Sequence, residues 1–360
     1  MFDSLDSIIK HITRLQDTAD RRYFPEGVLA SYRENPYLYY KRPDTNVFFT
    51  ALTVFTLLKI KPLLSESSQQ LVETIQQKAA KNYEAFRNKD GLMTYNFFQT
   101  KPSQHFPHGY IMRHFEHFRI PDDVDDTAFV YLTKPHSNTD AEWLHQKLQQ
   151  HGNLARGKQI QNTFPEFKQL KAYSTWFGKE MYIEFDVCVL SNILYCLLSF
   201  EVPRSEYDKD SIEYIKSVIL AGKHRTHPFH VAHQYPRTVP IIYHIARLVD
   251  AFSIPELEPC RAVLIQDSEE LLKQKDLPFM DRLVLHTSLI RLGKRPEHML
   301  PLTEVNFKDF YFFIAGMLTA FENPLVYWKL APLKITHLRW TCEAYNWALV
   351  AEYVALTARL

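Results

Sequence analysis

The chain has 360 residues, 46% of them hydrophobic and 14% aromatic, with a formal net charge of +1. That length holds one large domain or two ordinary ones, and the balanced charge gives no global field for nucleic acid. With nine glycines and neither a G-x-G-x-x-G nor a G-x-x-x-x-G-K-[ST] stretch, no nucleotide cofactor is expected.

Four cysteines, Cys188, Cys196, Cys260 and Cys342, form no C-x-x-C, and three lie in apolar runs. Reduced, buried thiols in a cytoplasmic protein are the expectation. The first residues carry no basic region followed by an apolar block, and no uncharged apolar stretch of about 18 residues occurs. Peripheral membrane contact stays open.

Residues 1–40 read as an N-terminal helix and lead-in to a single domain covering 1–360. Two kinds of helical run then alternate. Runs at 45–60, 123–132, 185–200, 238–252, 279–292, 307–321 and 338–356 are apolar nearly all round, which buries them on every side. Runs at 65–87, 139–151, 209–221 and 256–273 are amphipathic and charged. Strand signals are sparse. The pattern predicts an all-α chain, an α/α barrel of about six helical hairpins with an inner and an outer ring. The connections at 90–119 and 152–181 are too long for hairpin turns and suit functional loops. Inner helices of such a barrel run parallel, so their N-termini share one mouth. Asp44, the aspartates at 122–126, Asp186, Arg237, His337 and Arg339 all fall at such starts. Helix capping explains a lone aspartate there.

Capping does not use four carboxylates in five residues. Asp122-Asp123-Val124-Asp125-Asp126 follows a proline and precedes an apolar run. Like charges this close hold a proton to higher pH or recruit a cation. On a helical wheel Asp122, Asp126 and Asp123 span about 100°, with Asp125 about 60° to the other side. Read as D-D-x-x-D, Asp122 and Asp126 hold Mg²⁺ and, through it, a diphosphate. Read as D-x-D-D, Asp125 is a strong general acid that Asp123 and Asp126 tune.

Asp123-Val124-Asp125-Asp126-Thr127-Ala128 resembles the D-x-D-D-T-A motif of class II terpene cyclases, and the barrel pattern is similar to the terpenoid cyclase and protein prenyltransferase toroid. The resemblance implies a terpene cyclase in which Asp125 protonates an alkene or epoxide of a prenyl diphosphate or other polyprenyl substrate. It also implies aromatic walls that stabilise carbocations, with Tyr39, Tyr95, Trp176 and Phe177 as candidates. Arg113, Arg119 and Arg237 are candidates for a diphosphate headgroup. The family generally places its acid between two helical domains, and 360 residues supply one barrel, which implies a homodimer or a partner domain.

Half of the 16 histidines fall in two stretches, His105/His108/His114/His117 and His224/His227/His230/His233. They suit a metal, an anionic headgroup, or a hydrogen bond to the acid, with His233 or His244 as the partner that orients Asp125. Three other readings compete. Asp186, Cys188 and His244 loosely resemble the zinc ligands of a prenyltransferase subunit. A glycan-active barrel would use paired carboxylates. A non-catalytic lipid-binding toroid would use the aspartates as caps.

Overall fold

The computed structural model describes residues 4–105, 111, 114–115, 119–178, 180–303, 305–319 and 322–360. Helix α1 (Leu5–Asp17) opens on a capping box at Ser4 and buries Ile8, Ile9 and Ile12. After the strands β1 (Tyr32–Asn35) and β2 (Tyr40–Pro43), helix α2 (Phe48–Ile60) is buried on nearly every side. Helix α3 (Glu66–Ala80) follows, and a 3-10 turn at Tyr83–Phe86 replaces the rest of the run expected to 87, so that prediction overshot. Helices α4 (Val124–Thr133), α5 (Asn138–His151), α6 (Val187–Ser199) and α7 (Glu206–Leu220) come next. Two single turns, α8 (Lys223–Thr226) and α9 (Pro228–Val231), lead to α10 (Thr238–Ala251), α11 (Glu258–Leu272) and α12 (Phe279–Arg291). Strands β3 (Phe313–Gly316) and β4 (His337–Thr341) precede the last helix, α13 (Glu343–Thr357).

The apolar helices touch one another in succession. Helix α2 packs on α4, α4 on α6, α6 on α10, α10 on α12, α12 on α13, and α13 returns to α2. The amphipathic helices lie against them: α1 and α3 on α13 and α2, α7 on α6, and α11 on α12 and α10. Helices α3, α5 and α7 begin at serines whose hydroxyls take an amide of the first turn, a cap worth about 1 kcal/mol each. One continuous apolar core extends from Ile8 to Ala355.

The chain is helix-rich with a small antiparallel sheet, and that sheet corrects the all-α expectation. Its strand order is β2-β1-β4-β3. Tyr32 pairs with Thr341 and Glu34 with Arg339, while Phe313 pairs with Trp340. Strands of four or five residues carry too little alternation to be read from sequence. The run at 307–321 is therefore not a helix: Asp309 takes a left-handed φ of 59°, and Phe313 begins β3. His337 and Arg339 stand on β4, and α13 begins four residues after Arg339. A buried aspartate ties sheet to helices. Asp44 accepts a hydrogen bond from Trp340 Nε1 and lies 3.8 Å from the Arg33 guanidinium.

Candidate active site

The four aspartates have four different placements. Asp122 turns away from the helices: its carboxylate accepts hydrogen bonds from the Asn88 amide and the Thr94 hydroxyl. Asp123 is the N-cap of α4, and its Oδ1 accepts from the amides of Asp125 at 2.6 Å and Asp126 at 3.2 Å. Its backbone joins two loops, its N–H donating to the Tyr95 carbonyl while Val124 N–H donates to Thr175. Asp126 is buried with an Oδ1 that has no hydrogen-bond partner. Asp125 points among α6 and α10. The Asn192 side-chain amide donates to its Oδ1 at 2.6 Å, and the Tyr235 hydroxyl donates to its Oδ2.

Burial dominates the electrostatics. It pushes the Asp125 carboxyl up to about 6, restrained by the Tyr235 and Asn192 hydrogen bonds and the Arg247 charge. Burial and the neighbouring carboxylates raise Asp123 and Asp126 well above the usual range. Arg247 donates to Asn192 Oδ1, and its guanidinium lies over Phe55, Phe129 and Tyr243 at 5.0, 5.6 and 5.2 Å. A lining of rings surrounds this centre. Phe48 meets Phe129, Tyr235 and Phe313, and Phe312 meets Tyr235, Tyr243 and Tyr345.

A second acidic group caps α6. Asp186 accepts from the amides of Cys188, Val189 and Gln234, and burial pushes its carboxyl up to about 7. Beside it, Glu184 is paired with His233 and accepts from Trp176 Nε1 at 3.0 Å. Burial alone would raise Glu184, but the His233 charge brings it below its usual value; Glu184 in turn raises His233.

Several expected site residues stand elsewhere. Neither His233 nor His244 bonds Asp125, because His233 is taken by Glu184 and His244 Nδ1 donates to the Pro240 carbonyl at 2.7 Å. His244 does pack on Tyr235, ring centroids 4.7 Å apart, and burial depresses its basicity well below normal. Tyr39 is 98% exposed at the β1–β2 turn and walls nothing. Tyr95 is buried, but the charges about its hydroxyl are Glu84, Arg87 and Asp140, away from Asp125. Trp176 serves Glu184. Arg237 makes two hydrogen bonds to Asp281, at 2.7 and 2.8 Å, and donates to the Tyr311 carbonyl, so an anion would have to displace a carboxylate. Arg113, His108 and His117 lie outside the described residues. Arg119, Phe177 and Asp122 do converge, on a mixed cavity of about 680 Å³ lined also by Asn88, Asn96, His151, Leu92 and Met181.

The histidines of 224–233 disperse. His224 bonds Asp267 at 2.6 Å, His230 stacks on Trp328, and His233 meets Glu184. Among the described residues no three His, Cys, Asp or Glu side chains gather where a metal would sit. Of the two aspartates expected to hold Mg²⁺, Asp122 is engaged by Asn88 and Thr94, and Asp126 is buried and feels the Asp123, Asp125 and Asp122 charges. Burial raises the Cys188 thiol well above its usual value.

Asn192, Tyr235 and Arg247 are the residues that sequence reasoning missed. Tyr235 lies 110 positions from Asp125 and Asn192 lies 67. A lone Asn and a lone Arg inside apolar helical runs were the available signal, since buried polar groups need partners. No family model matches this chain, and no curated protein matches it.

Proposed function

We propose that the chain is an α/α barrel, with α2, α4, α6, α10, α12 and α13 as its inner ring, and a class II-like terpene cyclase in which Asp125 is the acid. The observation that carries this reading is a fully buried carboxyl that keeps its proton to about pH 6 inside an aromatic lining. The Asp125 O–H bond breaks as its proton forms a C–H bond on a terminal alkene carbon of an isoprenoid chain. The carboxylate left behind keeps two donors, Tyr235 and Asn192. Successive alkenes attack the cation, and rings such as Phe48, Phe129 and Phe312 stabilise the moving charge through their π faces. The Phe129 face already accommodates the Arg247 cation. Among the described residues His244 Nε2 has no hydrogen-bond partner, and it carries a lone pair because Nδ1 holds the ring proton. It accepts the proton that the final cation releases. Asp123 fixes the first turn of α4 and so aims Asp125.

The deciding experiment incubates the protein with farnesyl, geranylgeranyl and longer prenyl substrates beside Asp125→Asn. A cyclised isomer of unchanged mass, absent with the variant, supports the reading. No turnover of any prenyl chain by a folded protein rejects it. A second reading rests on the cavity beside Asp122, whose Asn88, Thr94, Asn96 and Asp122 side chains could bind the hydroxyls of a glycan while Leu92, Phe177 and Met181 pack on its apolar faces; release of sugar from oligosaccharides, lost with Asp122→Asn, would favour it.

A further inference from the structure

Six of the exposed large apolar side chains gather at one end of the sheet. Tyr37, Leu38 and Tyr39 form the β1–β2 turn, and Leu330, Leu333 and Ile335 precede β4; all six are exposed. The two segments are one rim, because the buried Asn35 amide donates to the carbonyls of Ile335 at 2.7 Å and His337 at 3.1 Å. The same Asn35 accepts from the amides of Tyr37 and Leu38, and Tyr39 takes a left-handed φ of 50°. The turn is thus held in shape by a buried side chain while its own side chains face outward. Scattered exposed apolar residues need no explanation, but a contiguous group on a braced turn marks a contact surface.

The charges of the rim select its occupant. Residues 36–43 and 325–339 contain Lys41, Arg42, Lys329, Lys334 and Arg339 and no Asp or Glu. The neighbouring Glu34 pairs with Lys41 at 3.3 Å. Protein–protein interface cores are depleted in lysine. Tyrosines and leucines interleaved with lysines are instead the composition of a bilayer interface, where rings sit at headgroup depth and ammonium groups meet lipid phosphates.

We propose that this rim is a docking surface for an anionic lipid bilayer. The turns insert Tyr37, Leu38, Tyr39, Leu330, Leu333 and Ile335 into the headgroup region, and Lys41, Lys329 and Lys334 meet the lipid charge. The inference stands independently of the proposed reaction.

Flotation with vesicles of phosphatidylcholine, with and without phosphatidylglycerol, tests it. The wild-type chain floats with the anionic vesicles and much less with the neutral ones. Lys329→Ala with Lys334→Ala weakens binding about twenty-fivefold, near fivefold per lysine. Tyr39→Ser with Leu333→Ser and Ile335→Ser removes it, while circular dichroism and melting temperature stay at wild-type values. The proposal is overturned if the wild type floats with neither vesicle, or if the apolar variant floats as well as wild type. It is equally overturned if vesicles leave the protein behind and the same substitutions convert a concentration-dependent dimer to monomer, which would make a second copy the occupant.

Discussion

At the residue scale the four aspartates show how one environment divides four equal side chains. Asp125 holds its proton to about pH 6 in the fold, whereas an unfolded aspartate loses it near ~3.9. Between those values the folded state binds the additional proton, so its stability contribution is complete below the lower value and lost as pH rises through the upper. The slope in that window is about 1.4 kcal/mol per pH unit. Asp125→Asn therefore flattens the loss of melting temperature between pH 4 and 7 and abolishes turnover. An unchanged pH dependence would show that Asp125 is not the proton holder. Tyr235→Phe removes a donor that favours the carboxylate, so the pKa of Asp125 rises and the alkaline limb of the activity profile moves to higher pH. His244→Phe leaves the first protonation intact and shifts the product mixture, read by mass spectrometry. The aspartate cluster was legible from the sequence because four carboxylates in five residues exceed what capping requires. Its partners were not, because Asn192, Tyr235 and Arg247 reach it only through tertiary packing.

At the element scale, the helices that the sequence marks as apolar on every face are those that contact each other in succession, since only complete enclosure hides such a surface. The sheet escaped because its strands are short and adjoin longer apolar runs: Phe312 and Phe313 suggested a helix, and β4 merged with the pattern of α13. Polar bridges tie the apolar helices together. Arg291 of α12 donates to Glu352 of α13, which also accepts from Tyr243 of α10 at 2.7 Å. Arg291→Met leaves the Glu352 charge buried and less compensated, and costs about 3–5 kcal/mol in denaturant unfolding. Adding Glu352→Leu recovers much of that loss; a double variant no better than the single would show that packing, not charge, dominates there. On the outer face Ser205→Ala removes the cap of α7 and with it a hydroxyl donor to Asp208, whose carboxylate His145 also engages. The expected cost is about 1–2 kcal/mol, read as a lower melting temperature.

At the scale of the whole molecule, the sheet connects strands distant in sequence to the surroundings of Asp125. Phe313 of β3 stacks on Trp340 of β4 at 5.3 Å and meets Tyr235 at 6.3 Å, and Tyr235 bonds Asp125. Arg33→Met, on β1, leaves Asp44 without its nearest guanidinium, raising the carboxyl that burial already lifts. It should loosen the β1–β4 pairing, checked as faster amide exchange at Glu34 and Arg339, while Asp125 titration stays unchanged. One arrangement already described also bears on how the molecule is made. Helix α13 lies between α12 and α2 and carries α1 on its outer side, and β1 pairs with β4 across some three hundred residues. During synthesis α1 and α2 therefore lack their α13 partner until residues 343–357 leave the ribosome. Loop closure on that scale is slow and exposes sticky surface meanwhile. A nascent chain halted before residue 343 should be held by chaperones and degraded, however complete its first five apolar helices are.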